Sequence, residues 1–148
     1  MSHDQYESLK LKNHLCFPLY ACSRETIKNY KPLLDRLGLT YTQYITMIVL
    51  WEHKRMTVKE LGAELYLDSG TLTPLLKKLE EKGLVNRNRS SMDERNLIVS
   101  LTPEGAAMRD AAKDIPSEMA KLVHLSADEC ITLYRLLYKL LGRTEHLE

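Results

Sequence analysis

The stretch that decides the fold is Leu67-Asp68-Ser69-Gly70-Thr71-Leu72-Thr73-Pro74-Leu75-Leu76-Lys77-Lys78-Leu79, followed by Leu84-Val85-Asn86-Arg87-Asn88-Arg89. Leu72, Leu75, Leu76 and Leu79 recur at intervals of three and four, which places them on one face of a helix from about Gly70 to Lys82. Asp68 or Ser69 caps that helix and Gly83 ends it. Tyr66-Leu67-Asp68 reads as a turn, preceded by a helix over Val58 to Leu65 with Thr57 as its N-cap and Met56-Thr57-Val58 extended. Downstream, Leu84 to Arg89 alternates apolar and polar residues, Ser90 to Asn96 is polar, and Leu97 to Leu101 alternates again. Residues 56–101 therefore read as a helix-turn-helix with a two-stranded hairpin as its wing.

Outward from this unit the chain is helical. Leu9, Leu15, Cys16, Leu19, Tyr20, Ile27, Tyr30, Leu34 and Leu37 keep a helical spacing, with a kink or break expected at Pro18 or Pro32. Gly38 ends this helix, Thr40 or Thr42 caps the next, and the apolar run from Tyr44 to Trp51 reads as buried. On the other side, Thr102-Pro103-Glu104 starts a helix reaching about Ile115. Pro116 kinks or restarts it, and Ser126-Ala127-Asp128-Glu129 opens a last helix with an acidic first turn. The expectation is one mainly α domain over residues 1–148, with apolar terminal helices over 9–37 and 103–146.

The composition fits a compact, soluble chain. Of 148 residues, 44% are apolar and 28% charged, with Lys+Arg 21 against Asp+Glu 20. Tyr41 to Trp51 is too short an apolar run to span a bilayer, which takes ~20 residues. The opening MSHDQYESLKLK lacks the basic-then-apolar order of a secretion signal, so a cytoplasmic protein is expected. Cys16, Cys22 and Cys130 are an odd number without a C-x-x-C, which disfavours a disulfide scaffold and a zinc site. His3, His14, His53, His124 and His146 show no ligand spacing, so no metal or other cofactor is expected. No glycine motif for phosphate and no nucleophile–base constellation points to an enzyme.

With a net charge of only +1, any contact to nucleic acid must come from a local patch. Ser69, Thr71 and Thr73 are small polar groups at the start of the second helix of the unit, with Lys77 and Lys78 further along. The N–H groups of Ser69, Gly70 and Thr71 form a helix N-terminus suited to phosphate. The hairpin adds Arg87, Arg89 and Arg95, and an arginine at a loop tip suits a narrow minor groove. Asp93 is placed to hold Arg95 extended by a charge-assisted hydrogen bond.

The order Leu67 to Leu79, then Asp93-Glu94-Arg95, Leu101-Thr102 and Gly105, resembles the winged helix of MarR-family transcription regulators over about a third of the chain. That resemblance implies a homodimer built through its terminal helices, with two recognition helices entering successive major grooves of a pseudo-palindromic double-stranded operator. The apolar first and last helices suit such an interface, since neither can be left exposed on every face. The wing roles of Asp93 and Arg95 carry over.

Read from the residues, Cys16 is either a small apolar packing residue, the usual role of a buried cysteine, or a reactive thiol. Tyr20, Tyr30, Tyr41 and Tyr44 are available as phenol donors, and a helix N-terminus favours a thiolate. Leu15-Cys16-Phe17 through Arg24-Glu25, with Tyr30-Lys31-Pro32 and Leu39-Thr40-Tyr41, is similar to OhrR, the organic-hydroperoxide-sensing branch of that family. The similarity implies that Cys16 is the peroxide sensor, hydrogen-bonded by Tyr30 and Tyr41. Oxidation by an organic hydroperoxide inducer, then a mixed disulfide with a low-molecular-weight thiol, would release the operator. Cys22 lies six residues on, a rise of ~9 Å against a disulfide limit of ~7 Å, and reads as a packing residue. Cys130 reaches Cys16 only across a dimer. Two other functions fit parts of the sequence: a repressor relieved by a small aromatic ligand, and a thiol peroxidase that ignores DNA.

Overall fold

The computed structural model describes residues 4–89 and 97–143. The chain divides into two compact units, Met1–Ile115 and Pro116–Glu148.

In the first unit, two short 3-10 turns, Glu7–Leu9 and Leu11–Asn13, precede helix α1, Cys16–Asp35. The helix expected from Leu9 thus begins later. Asn13 Nδ2 donates to the Glu7 carbonyl at 2.7 Å, and Lys10 pairs with both Asp4 and Glu7. Such local side-chain bonds offer the backbone an alternative to helix. Neither proline ends α1. Pro18 lies in its first turn, where an N–H has no intrahelical acceptor anyway, and Pro32 removes one bond near the other end.

Helix α2, Tyr41–His53, is capped by Thr40 in a capping box with Gln43. Strand β1, Arg55–Thr57, leads into α3, Val58–Leu65, whose cap is a Thr57–Glu60 box. Tyr66 turns left-handed at φ 56° to end α3. Asp68 caps α4, Ser69–Glu81. Strands β2, Val85–Arg89, and β3, Leu97–Leu101, form the hairpin, and Thr102 caps α5, Pro103–Ala112. The sheet has three strands: the two of the expected hairpin, and β1, which falls on the extended piece expected around Met56 and pairs with β3. Its order is β1-β3-β2, all antiparallel, with Met56 opposite Val99 and Arg87 also opposite Val99. Three residues show an extended piece but not its partner, and pairing with β3 makes it a strand.

Met47, Leu50, Leu61, Leu76, Leu79, Val85 and Val99 are fully buried and form the core of the unit. Gly105 is fixed by close approach, since a Cβ there would collide with the Leu84 carbonyl oxygen. Its own carbonyl accepts a 2.8 Å bond from Trp51 Nε1.

Helix α6, Ile115–Ala120, starts beside Pro116 as expected. In the second unit α7, Ala127–Leu140, is opened by a Ser126–Glu129 capping box. No residue of α7 is buried, and Ile131, Leu133, Tyr134, Leu136 and Leu140 are all exposed.

Candidate nucleic-acid interface and thiol site

The leucine stripe of α4 faces inward with Leu72, Leu75, Leu76 and Leu79 buried. By the geometry of a helix the opposite face must then carry the polar residues. Ser69, Gly70, Thr71, Thr73, Lys77 and Lys78 are all exposed. One expected feature changes: the Thr71 N–H is not free, because Asp68 Oδ1 accepts it at 2.8 Å. The N-cap requires this, leaving the start of the helix to Ser69 and Gly70. A cleft of about 590 Å³ lies beside this helix, lined by residues such as Val58, Lys59, Gly62, Ser69, Leu72 and Leu97.

On the wing, Arg89 is exposed and Arg87 is half-buried. The Arg87 backbone N–H donates to Glu80 Oε2 at 3.0 Å and its Nη2 donates to Glu80 Oε1 at 3.1 Å. These bonds hold the Glu80 carboxyl below the usual carboxylate range. Glu80 drew no notice in the sequence, where it is one of several charges at the end of a helix. Asp93 and Arg95 lie outside the described residues.

Cys16 is the first residue of α1, and its thiol is exposed. Cys22, expected to pack, is exposed too, as is Cys130. Tyr30 lies fourteen residues beyond Cys16 on the same helix, a rise of ~21 Å. Within one chain its phenol therefore does not reach the sulfur. Tyr30 instead joins Tyr41, with ring centres 5.0 Å apart, and Tyr44 at 5.7 Å. Burial, and for Tyr30 and Tyr44 the neighbouring phenols, raise all three above the ordinary tyrosine value. They stay protonated at neutral pH and keep O–H groups to donate. Tyr44 extends the cluster to Trp51, 6.4 Å away in an edge-on contact.

No three His, Cys, Asp or Glu side chains gather as a metal site among the described residues, and no helix there is long and apolar enough to cross a membrane.

A buried leucine stripe, a polar outward face and a sheet-borne wing packed beside them define a winged-helix module. The family described as transcriptional regulator SarA/Rot matches residues 28–111. The organic hydroperoxide resistance transcriptional regulator of Bacillus subtilis is 50% identical over 138 residues, 93% of this chain and 94% of its own. Among solved structures, reduced AbfR of Staphylococcus epidermidis bound to DNA is 36% identical with a TM-score of 0.78, covering 93% of this chain and 96% of that one. A cysteine-to-serine mutant of MarR from E. coli complexed with operator DNA is 29% identical with a TM-score of 0.77, over 93% and 99%. The chain belongs to the MarR family of winged-helix transcription regulators, in its organic-hydroperoxide branch. It is a regulator and not an enzyme.

Proposed function

We propose that this chain is a dimeric, cytoplasmic repressor that leaves its operator when an organic hydroperoxide oxidises Cys16. The observation that carries the sensor is the placement of exposed Cys16 and half-buried Tyr30 on one face of α1. Fourteen residues are ~3.9 helical turns, so the two side chains share a face of α1. Leu19, Tyr20 and Ile27 lie along it and are exposed, with small Ser23 at its centre. If two copies of α1 cross antiparallel at Ser23, each Cys16 lies opposite the partner's Tyr30. A two-fold interface of this kind is self-complementary and makes both sites at once. It also covers apolar side chains that one chain leaves in water. The protonated Tyr30 and Tyr41 are then the donors to the thiolate.

The chemistry is short. The Cys16 thiolate attacks one peroxide oxygen, an S–O bond forms, the O–O bond breaks, and the alkoxide leaves as an alcohol after protonation. A low-molecular-weight thiol then attacks the sulfenic sulfur and water departs, leaving a mixed disulfide. The bulk added between the two α1 helices changes their packing and the separation of the recognition helices. Only a few kcal/mol between dimer geometries is needed, because each 1.4 kcal/mol is tenfold in affinity.

On the DNA side, Ser69, Gly70, Thr71 and Thr73 approach bases and phosphates of a pseudo-palindromic duplex. Lys77, Lys78 and Arg89 meet the backbone, and Arg95, oriented by Asp93, enters the minor groove. Support comes from the exposed polar face of α4 and from relatives whose structures hold DNA. AbfR is known in reduced and disulfide forms, which supports a redox input for this chain.

The test is binding to a duplex selected from random sequence, for wild type and Cys16→Ser, before and after organic hydroperoxide with a small thiol. Loss of binding in the wild type alone is expected. A Cys16→Ser variant that still releases DNA would overturn the sensor.

A further inference from the structure

We infer that Glu80 and Arg87 form a latch that sets the wing against the recognition helix, so that both are positioning residues for the operator binding proposed above, not phosphate contacts. Glu80 sits in the last turn of α4, and Arg87 is the middle residue of β2. Both carboxylate oxygens are used, one on the Arg87 backbone N–H and one on its guanidinium. One side chain thereby ties the helix to the main chain and to the side chain of the strand at the same point. That strand is at the edge of the sheet, so Glu80 also satisfies an N–H of an edge strand.

Electrostatics gives a second argument. A carboxylate in the last turn of a helix faces the negative end of the dipole. On a module that grips a polyanion it is also repelled by the ligand. Glu80 is disfavoured on both counts, and the internal partner accounts for its position. The Arg87 side chain is only 21% exposed, and its Nε is buried without a hydrogen-bond partner among the described residues. The guanidinium is drawn in toward α4, and reaching a phosphate would require it to give up Glu80. The wing and the recognition helix read different parts of a duplex, so the angle between them decides whether both engage together.

The test uses full-length protein and the selected duplex, measuring affinity across a salt titration for wild type, Glu80→Ala, Glu80→Gln, Arg87→Ala and the double alanine variant. A latch predicts that Glu80→Ala weakens binding roughly tenfold, the scale of a charge-assisted bond. Arg87→Ala should weaken it as much, and the double variant no more than either, because the two act as a unit. The salt slope should stay that of the wild type. A phosphate contact predicts the reverse: Arg87→Ala lowers the slope by about one per subunit, and removing the Glu80 charge tightens binding. Glu80→Gln keeps the size but loses the charge and one of the two acceptor oxygens, so under the latch it weakens binding severalfold, less than Glu80→Ala, and it decides the sign even if an alanine variant fails to fold. Unchanged or tighter binding by Glu80→Gln overturns the latch. A wild type that selects no duplex overturns the operator reading itself, a separate result.

Discussion

The winged module and the terminal helices solve the same problem in opposite ways. From α2 to α5 each helix start has a side-chain cap, the leucines point inward, and the Trp51 indole finds a carbonyl acceptor. This part satisfies itself. The stripe on α1 and the whole of α7 do not: Tyr20 is 56% exposed and Leu140 63%. Apolar surface of that extent in water is costly. On the proposed reading, one self-sufficient part and one completed by a second copy let the reading heads move by a change in the second alone. The core that shapes each head need not be disturbed.

The contrast can be broken first in the module. Leu76→Ala opens a cavity at a fully buried site and should cost ~2–5 kcal/mol, read as a lower unfolding midpoint in denaturant. A loss under ~1 kcal/mol would mean that the core is not shared as described. Next, Ile131→Asp on exposed α7 should leave the helical signal intact while weakening self-association by ~2–3 kcal/mol, measured by sedimentation. Association equal to wild type would remove α7 from the interface. Smaller again, Tyr30→Phe should slow hydroperoxide oxidation of Cys16 about tenfold, or ~1.4 kcal/mol, in a stopped-flow assay. An unchanged rate would detach the tyrosine cluster from the thiol. Thr57→Ala removes one cap and should cost ~1 kcal/mol of stability, seen in the thermal midpoint.

Changes with pH sharpen the same division. Thr57 holds the Glu60 carboxyl below its ordinary 4.5, and Arg87 does so for Glu80. A group depressed in the fold stabilises it above the ordinary value and loses that contribution as pH falls through the lowered one. The module should therefore weaken below about pH 4.5. Tyr30, Tyr41 and Tyr44 are shifted up from 10.0. Their contribution is present below that value and is lost as pH rises through the raised one, so an alkaline ultraviolet titration should show late tyrosines. Three phenols titrating at 10 would contradict their burial.

Much of the architecture is legible in the residues because it is local. A helix start needs a cap and a partner three positions away, and Thr57–Glu60 and Ser126–Glu129 are written within four residues. A leucine every three or four positions names the buried face of α4 whatever it packs on. The start of α1 is hidden from the pattern for a local reason too: the ionic knot around Glu7 and Lys10 has no periodicity to reveal it.

Local residue patterns specify the order of helices, the capped turn before α4, the hairpin, and the residue types at its outer surface. What meets after the chain turns is left to the tertiary structure: β1 joining β3, Glu80 closing on Arg87 across the turn between α4 and β2, and Tyr41 and Tyr44 of α2 gathering on Tyr30, which lies fourteen residues from Cys16. Spacing along a chain encodes only neighbours within a turn or two, whereas these contacts depend on how the whole chain closes on itself. On the proposed sensor reading, closing one chain is not enough for the thiol, because ~21 Å of helix separates Cys16 from Tyr30.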